Sequence, residues 1–175
     1  MIPNATYNRL EKILSSDLDT ARSNSIFPTD TGYQVFGKYA IVKDNNDVVV
    51  SRNSNHIANF SSVKTAISWC IADKFNQNKL ADEVLLLDQQ RLRLHDDLYV
   101  AQRLLNKSRD LGFKETVEIK LQSKKYLLKS IELRLDKCAS LAKYWQLRGF
   151  NDEIERTRRS ASNKDNRSSI RVTSR

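Results

Sequence analysis

Two mirrored series of apolar residues constrain this chain more than any other feature. Leu80, Val84, Leu87, Arg91, Leu94, Leu98, Ala101 and Leu105 follow one another in alternating steps of four and three. That spacing is the heptad signature of a helix with one seam facing another helix. Val117, Leu121, Lys124, Leu128, Ile131, Leu135, Cys138, Ala142 and Trp145 repeat the pattern, and Asp110-Leu111-Gly112 between the series offers a break. An antiparallel coiled-coil hairpin closed around Leu111 brings Leu105 to Val117, Leu94 to Leu128 and Leu80 to Ala142. Arg91 and Lys124 are the polar exceptions, and their stems are expected to pack in the seam while their charges reach outward.

The net charge of +9 over 175 residues is unevenly placed. Residues 1–78 carry +1, 79–110 zero, 114–148 +5, 149–155 −3, and the last twenty +6. The excess therefore belongs to one helix and a tail rather than to a basic domain. Four glycines and two prolines favour helix over turn-rich β structure. No apolar run is long enough to span a membrane, and Met1-Ile2-Pro3-Asn4 does not open a signal peptide. The expectation is the cytoplasm, with no membrane partner. Cys70 and Cys138 sit at apolar helical positions and read as buried thiols.

Ahead of the hairpin, Tyr7, Leu10, Ile13, Leu14, Leu18 and Ala21 predict an amphipathic helix over 4–22, and the polar stretch Ser23 to Gly32 reads as a loop. From Tyr33 the period changes to two. Tyr33, Val35, Gly37, Tyr39 and Ile41 alternate with Gln34, Phe36, Lys38, Ala40 and Val42 as one strand. Asp44-Asn45-Asn46-Asp47 turns it into Val48-Val49-Val50. A third strand fits His56 to Phe60, and Ser61 or Ser62 caps a helix carrying Val63, Ala66, Ile67, Cys70, Ile71 and Phe75. Trp69 lies off that stripe and is expected to pack at the edge of the sheet or against the base of the arm. Gly149 after Leu147-Arg148 predicts a helix stop with Phe150 folding back. Beyond it the chain is poor in apolar residues and is expected to stay disordered.

The fold class that follows is α+β, mostly α. It consists of a small α+β domain over 1–78 with two or three antiparallel strands, a coiled-coil hairpin over 79–150, and a disordered basic tail over 151–175.

Phe36-Gly37-Lys38-Tyr39-Ala40-Ile41, Phe60-Ser61-Ser62-Val63-Lys64-Thr65-Ala66-Ile67-Ser68-Trp69-Cys70 and Leu87-Asp88 resemble small uncharacterised proteins of tailed phages of marine cyanobacteria and related hosts. The resemblance covers the middle third of the chain and implies a phage origin, which makes the cytoplasm that of a host or places the protein in a virion, with no catalytic residues to carry over. The strand, strand, helix order also resembles the AP2 and phage-integrase arm-binding modules that contact DNA through a sheet. It departs from them in offering only Lys38, Lys43 and Arg52 as strand cations.

Chemistry has little to work with. His56 and His95 stand apart, outside any metal-binding or nucleophile spacing, and no glycine-rich phosphate loop occurs. The expectations are no enzyme, no catalytic residue, no metal and no cofactor. Instead, the arm helices carry more apolar surface than one seam uses. Leu85, Leu92 and Tyr99 form a second stripe on the first helix, and Ile119, Tyr126 and Leu133 another on the second. These six are the candidate protein interface: within the chain the helix over 4–22 is the candidate to cover a stripe, and the alternative is another protein or a second copy, as a homo-oligomer or a phage assembly component. The role expected is that of a structural or adaptor protein. The alternative is a sequence-independent nucleic-acid-binding accessory protein using Lys120, Lys125, Lys129 and Lys137 on the second helix. The tail would add Arg156, Arg158, Arg159, Lys164, Arg167, Arg171 and Arg175.

Overall fold

The computed structural model describes residues 25–44 and 47–170, with side chains described as far as residue 160. The helix expected over 4–22 and the residues Arg171 and Arg175 lie outside the described residues. Five strands, β1 (Ile26–Thr29), β2 (Gly32–Val35), β3 (Tyr39–Asp44), β4 (Asp47–Arg52) and β5 (Asn55–Phe60), form an antiparallel meander in chain order. Three helices follow: α1 (Val63–Lys74), α2 (Asn78–Lys107) and α3 (Leu111–Ile170).

The sheet has more strands than the two or three expected, for two physical reasons. Ile26–Thr29 is a strand rather than a loop, because Pro28 pairs with Tyr33 from an edge position where a missing amide costs the ladder nothing. The second reason lies at Phe36-Gly37, where φ is 54° and 65° and Lys38 N donates to Val35 O at 3.2 Å. The presumed single strand therefore folds back on itself. Val35 then pairs with Tyr39 and Tyr33 with Ile41. The odd-numbered residues stay on one face across the turn, so alternation continues through it. Phe36 keeps its strained backbone because its ring is buried edge-on against Phe75 and Phe150, at centroid separations of 6.2 Å and 6.3 Å. Gly32 is equally constrained, since a Cβ there would lie 1.9 Å from the Ile41 carbonyl oxygen.

Asn53 and Ser54, both at positive φ, make the tight β4–β5 turn, and a bulge follows between Val50 and Ser51. Ser62 caps α1, accepting the Thr65 amide at 3.2 Å. α1 is then buried on two sides, with the sheet on one and α2 and α3 on the other. On the sheet side Trp69 meets Tyr39 edge-to-face at 6.2 Å and Phe60 at 6.1 Å, so its role is packing. Below it, Tyr39 Oη donates to Asp73 Oδ2, which also accepts Arg52 at 3.1 Å. Burial, then the hydrogen bond to Asp73, pushes the Tyr39 phenol far up. Burial likewise raises the free thiols of Cys70 and Cys138.

A single apolar core runs from Val35 and Tyr39 in the sheet, through α1, to Ile131, Leu135 and Ala142 of α3. It crosses the expected boundary at residue 78 without a break. Beyond the base, α2 and α3 continue as an antiparallel hairpin. Two ion pairs cross it: Lys124 with Asp97, and Arg134 with Glu83 at 2.9 Å. The reversal falls at Ser108–Asp110, one step before the expected position. Asp110 Oδ1 accepts the Phe113 amide at 3.1 Å, so a side-chain cap starts α3 and Gly112 lies within its first turn.

Gly149 does not stop the helix. α3 passes straight through it and remains helical to Ile170, where a disordered tail was expected. A Cβ on Gly149 would lie 2.1 Å from the Phe75 ring, so this glycine permits close approach of α1's end to α3. Past Gly149, the Glu and Arg residues of 153–159 and local pairs such as Arg159 with Glu155 at 3.2 Å support the helix without a core.

Candidate interaction surface

α3 has two opposite apolar sides. The inner side holds Val117, Leu121, Ile131, Leu135, Cys138 and Ala142, all buried against α2 and α1. The outer side carries Ile119, Tyr126, Leu133, Leu147 and Ile154, whose exposures run from 49% to 75%. All five share one heptad position. Ser140 fills the sixth place in that row, with its hydroxyl donating back to the Asp136 carbonyl at 3.0 Å. At a rise of about 1.5 Å per residue the row is about 52 Å long. Tyr144 and Leu141 widen it near the base. Exposed apolar surface of this extent is unusual on a monomer.

The six residues expected to form an interface divide. Ile119, Tyr126 and Leu133 lie on this outer row. On α2, Leu85 is half-buried and packs against the core, and Leu92 is also half-buried. Tyr99 is exposed beside Arg103, whose guanidinium carbon sits 5.8 Å from its ring centroid. The available surface is therefore mainly α3. Ile154 was missed because the helix was expected to end at Gly149, and Leu147 because Ser140 interrupts the apolar spacing before it. The signal was present, since the seven-residue spacing continues through Gly149.

The basic residues do not gather into one track. Lys120 and Lys125 are five residues apart, which sets them about 140° apart around the helix. Lys129 and Lys137 instead bracket Leu133 at the i−4 and i+4 positions. Arg156, Arg158 and Arg159 are exposed on the far end of α3. Lys164 and Arg167 lie on its last turns, where side chains are not described.

At the base of the arm, the seam residue Arg91 turns inward rather than outward. Asp88, fully buried, accepts Ser61 N and Ser61 Oγ, each at 2.7 Å, and Arg91 at 2.8 Å. The same guanidinium donates to Ser61 Oγ, to Ser62 Oγ at 3.2 Å and to Thr65 Oγ1 at 3.1 Å. One ion pair thus ties α2 to the loop and first turn of α1. Beside it lies a cleft of about 300 Å³ lined by Ser62, Thr65, Ser68, Arg91, Glu132 and Asp136, with Lys64 bonded to Asp136 at 2.6 Å across its mouth. Both signs of charge line it and most are already paired, so its chemistry is that of a joint. Among the described residues, no three His, Cys, Asp or Glu side chains come together as metal ligands would. Nor does any described helix have the length and apolarity to cross a membrane.

Comparison with known protein families, curated proteins and solved structures finds no match for this chain.

Proposed function

We propose that this protein is a non-enzymatic structural or adaptor protein that acts through protein contacts along its helical arm. The observation that carries the reading is the exposed apolar row from Ile119 to Ile154 on the outer side of α3. Its strict seven-residue spacing supports a coiled-coil arm, with α2 wound along the inner seam and the outer seam left for a partner. The domain at the base gives the arm a fixed root through the continuous core and the Asp88–Arg91 pair. The resemblance of Phe36–Ile41 and Phe60–Cys70 to small phage proteins supports a role in phage assembly.

The test compares the native chain with Leu133→Glu as bait in host lysate, with captured proteins identified by mass spectrometry. A protein retained by the native chain and lost with the variant supports the reading. Identical capture by both baits overturns it. Salt-dependent retention on duplex DNA that ignores Leu133→Glu would favour the nucleic-acid reading instead.

A further inference from the structure

The outer row of α3 is apolar except at Ser140, and its borders carry an excess of positive charge. Neighbours at three and four residues on either side of Ile119, Tyr126, Leu133, Leu147 and Ile154 flank the row directly. Their charged members are Lys129, Lys137, Lys143 and Arg158 against Glu115 and Asp136. Asp136 is bonded to Lys64, whereas the three lysines form no ion pair among the described residues. The inner seam differs, because Lys124 within it and Arg134 on its border are matched by Asp97 and Glu83 of α2. The hairpin therefore shows how α3 pairs with a helix: apolar row against apolar row, lysine or arginine against carboxylate. On the outer side no second helix packs among the described residues.

We propose that the outer row of α3 docks an amphipathic helix of a partner protein, one with apolar residues in heptads and Asp or Glu along both borders. This rests on the arm reading above and names the partner's chemistry. The heptad spacing selects a helix over an extended segment. On a straight helix a seven-residue row drifts by about 20° per heptad, and only a partner that winds left-handedly stays in contact with it. The lysine borders select an acidic partner over a second copy. Two copies packed row to row bring two borders of net positive charge together, with Asp136 already bonded to Lys64, and the excess of like charge opposes the pairing.

Two synthetic helices of about four heptads test the proposal, long enough to hold helical structure. They share the same leucine rows and differ only in glutamate or lysine at the borders. Titrated by fluorescence anisotropy against the full chain, the glutamate helix should bind about tenfold more tightly than the lysine helix and weaken as salt rises. Lys129→Glu with Lys137→Glu should reverse that order, and Leu133→Glu should abolish binding of both. Equal affinity for the two helices overturns the acidic class while leaving a docking row. If neither helix binds but Leu133→Glu still strips captured proteins from the bait, the inference fails and the arm reading stands. Sedimentation that shows a dimer converted to monomer by Leu133→Glu makes a second copy the occupant, and also overturns the inference. Duplex DNA binding lost in the double lysine variant but kept in Leu133→Glu overturns it in favour of a polyanion surface.

Discussion

The base of the arm and its outer face use the same residue types at the same spacing but place them in opposite environments. At the base, heptad leucines such as Leu87 are sealed by α1 and accompanied by a buried ion pair. On the outer face, Tyr126 and Leu133 point to solvent with lysines on both borders. The difference is that a heptad defines a surface able to pair with a helix, while topology decides which surface is used within the chain. Polar residues carry the distinction. Asp88 and Arg91 are exact in their partners and lock one arrangement, whereas the outer lysines form no ion pair among the described residues.

The comparison is broken most severely at Asp88. Asp88→Ala leaves Arg91 buried without its carboxylate and two groups, the Ser61 amide and hydroxyl, without their acceptor. Removing one member of such a pair costs about 3–5 kcal/mol, measurable as a lower urea midpoint at unchanged slope. A loss below about 1 kcal/mol would show the node to be incidental to the joint. Leu94→Ala should follow at about 2–4 kcal/mol, since Leu94 is buried within the same core.

Much of the helical architecture was legible, for reasons that also explain what was not. The mirrored heptads announced two long helices and a reversal near Leu111, and Ser62 announced the α1 cap. The Phe36-Gly37 turn was hidden because Val35 and Tyr39 flank it on the same face, so the period of two never falters. Pro28 disguised a strand that exists only because it lies at an edge. Gly149 suggested a terminus, but its missing side chain makes room for Phe75, a contact between residues far apart in the chain. Asp88 could not have been singled out as buried, since its partners Ser61 and Arg91 meet it only after α1 docks. On the outer face, Ile119, Tyr126 and Leu133 were readable as a spare stripe. Which helix would bear most of it was settled by the burial of Leu85 and Leu92.

Gly149→Ala sharpens the distinction between stop and contact. Alanine is the better helix residue by about 1 kcal/mol, so an exposed position should be stabilised. Here the added methyl meets Phe75, and overpacking of about 1–3 kcal/mol should dominate. The expected result is a net loss of about 1 kcal/mol, and a gain would mean that α1's end does not approach α3 so closely.

Tyr39→Phe probes the sheet side of the same core through pH. Burial and the bond to Asp73 raise the phenol's pKa above its unfolded value of about 10. The folded chain holds that proton more tightly, so the stabilisation is complete below about pH 10 and is lost as pH rises towards the folded value. Cys70, also raised by burial, adds a decline of the same sign that begins nearer pH 8.5. Tyr39→Phe should cost about 1 kcal/mol at neutral pH and make the alkaline decline shallower above pH 10. An unchanged decline would assign it elsewhere.

The smallest effect is expected on the outer face, and its smallness is what separates the two regions. Leu133→Ser removes an apolar side chain from solvent rather than from a core, so stability should move by no more than about 0.5 kcal/mol. The same exchange at Leu135, two residues along the helix, replaces a buried side chain by a polar one and should cost several times more. Denaturation midpoints of the two variants, measured over a range of protein concentrations, therefore report which side of α3 the free protein covers. If Leu133→Ser costs as much as Leu135→Ser at every concentration, the row is already covered within the chain and no partner is needed to explain it. If the cost grows with concentration, a second copy covers it. A small, concentration-independent change leaves the row open, as a surface kept for a different protein requires.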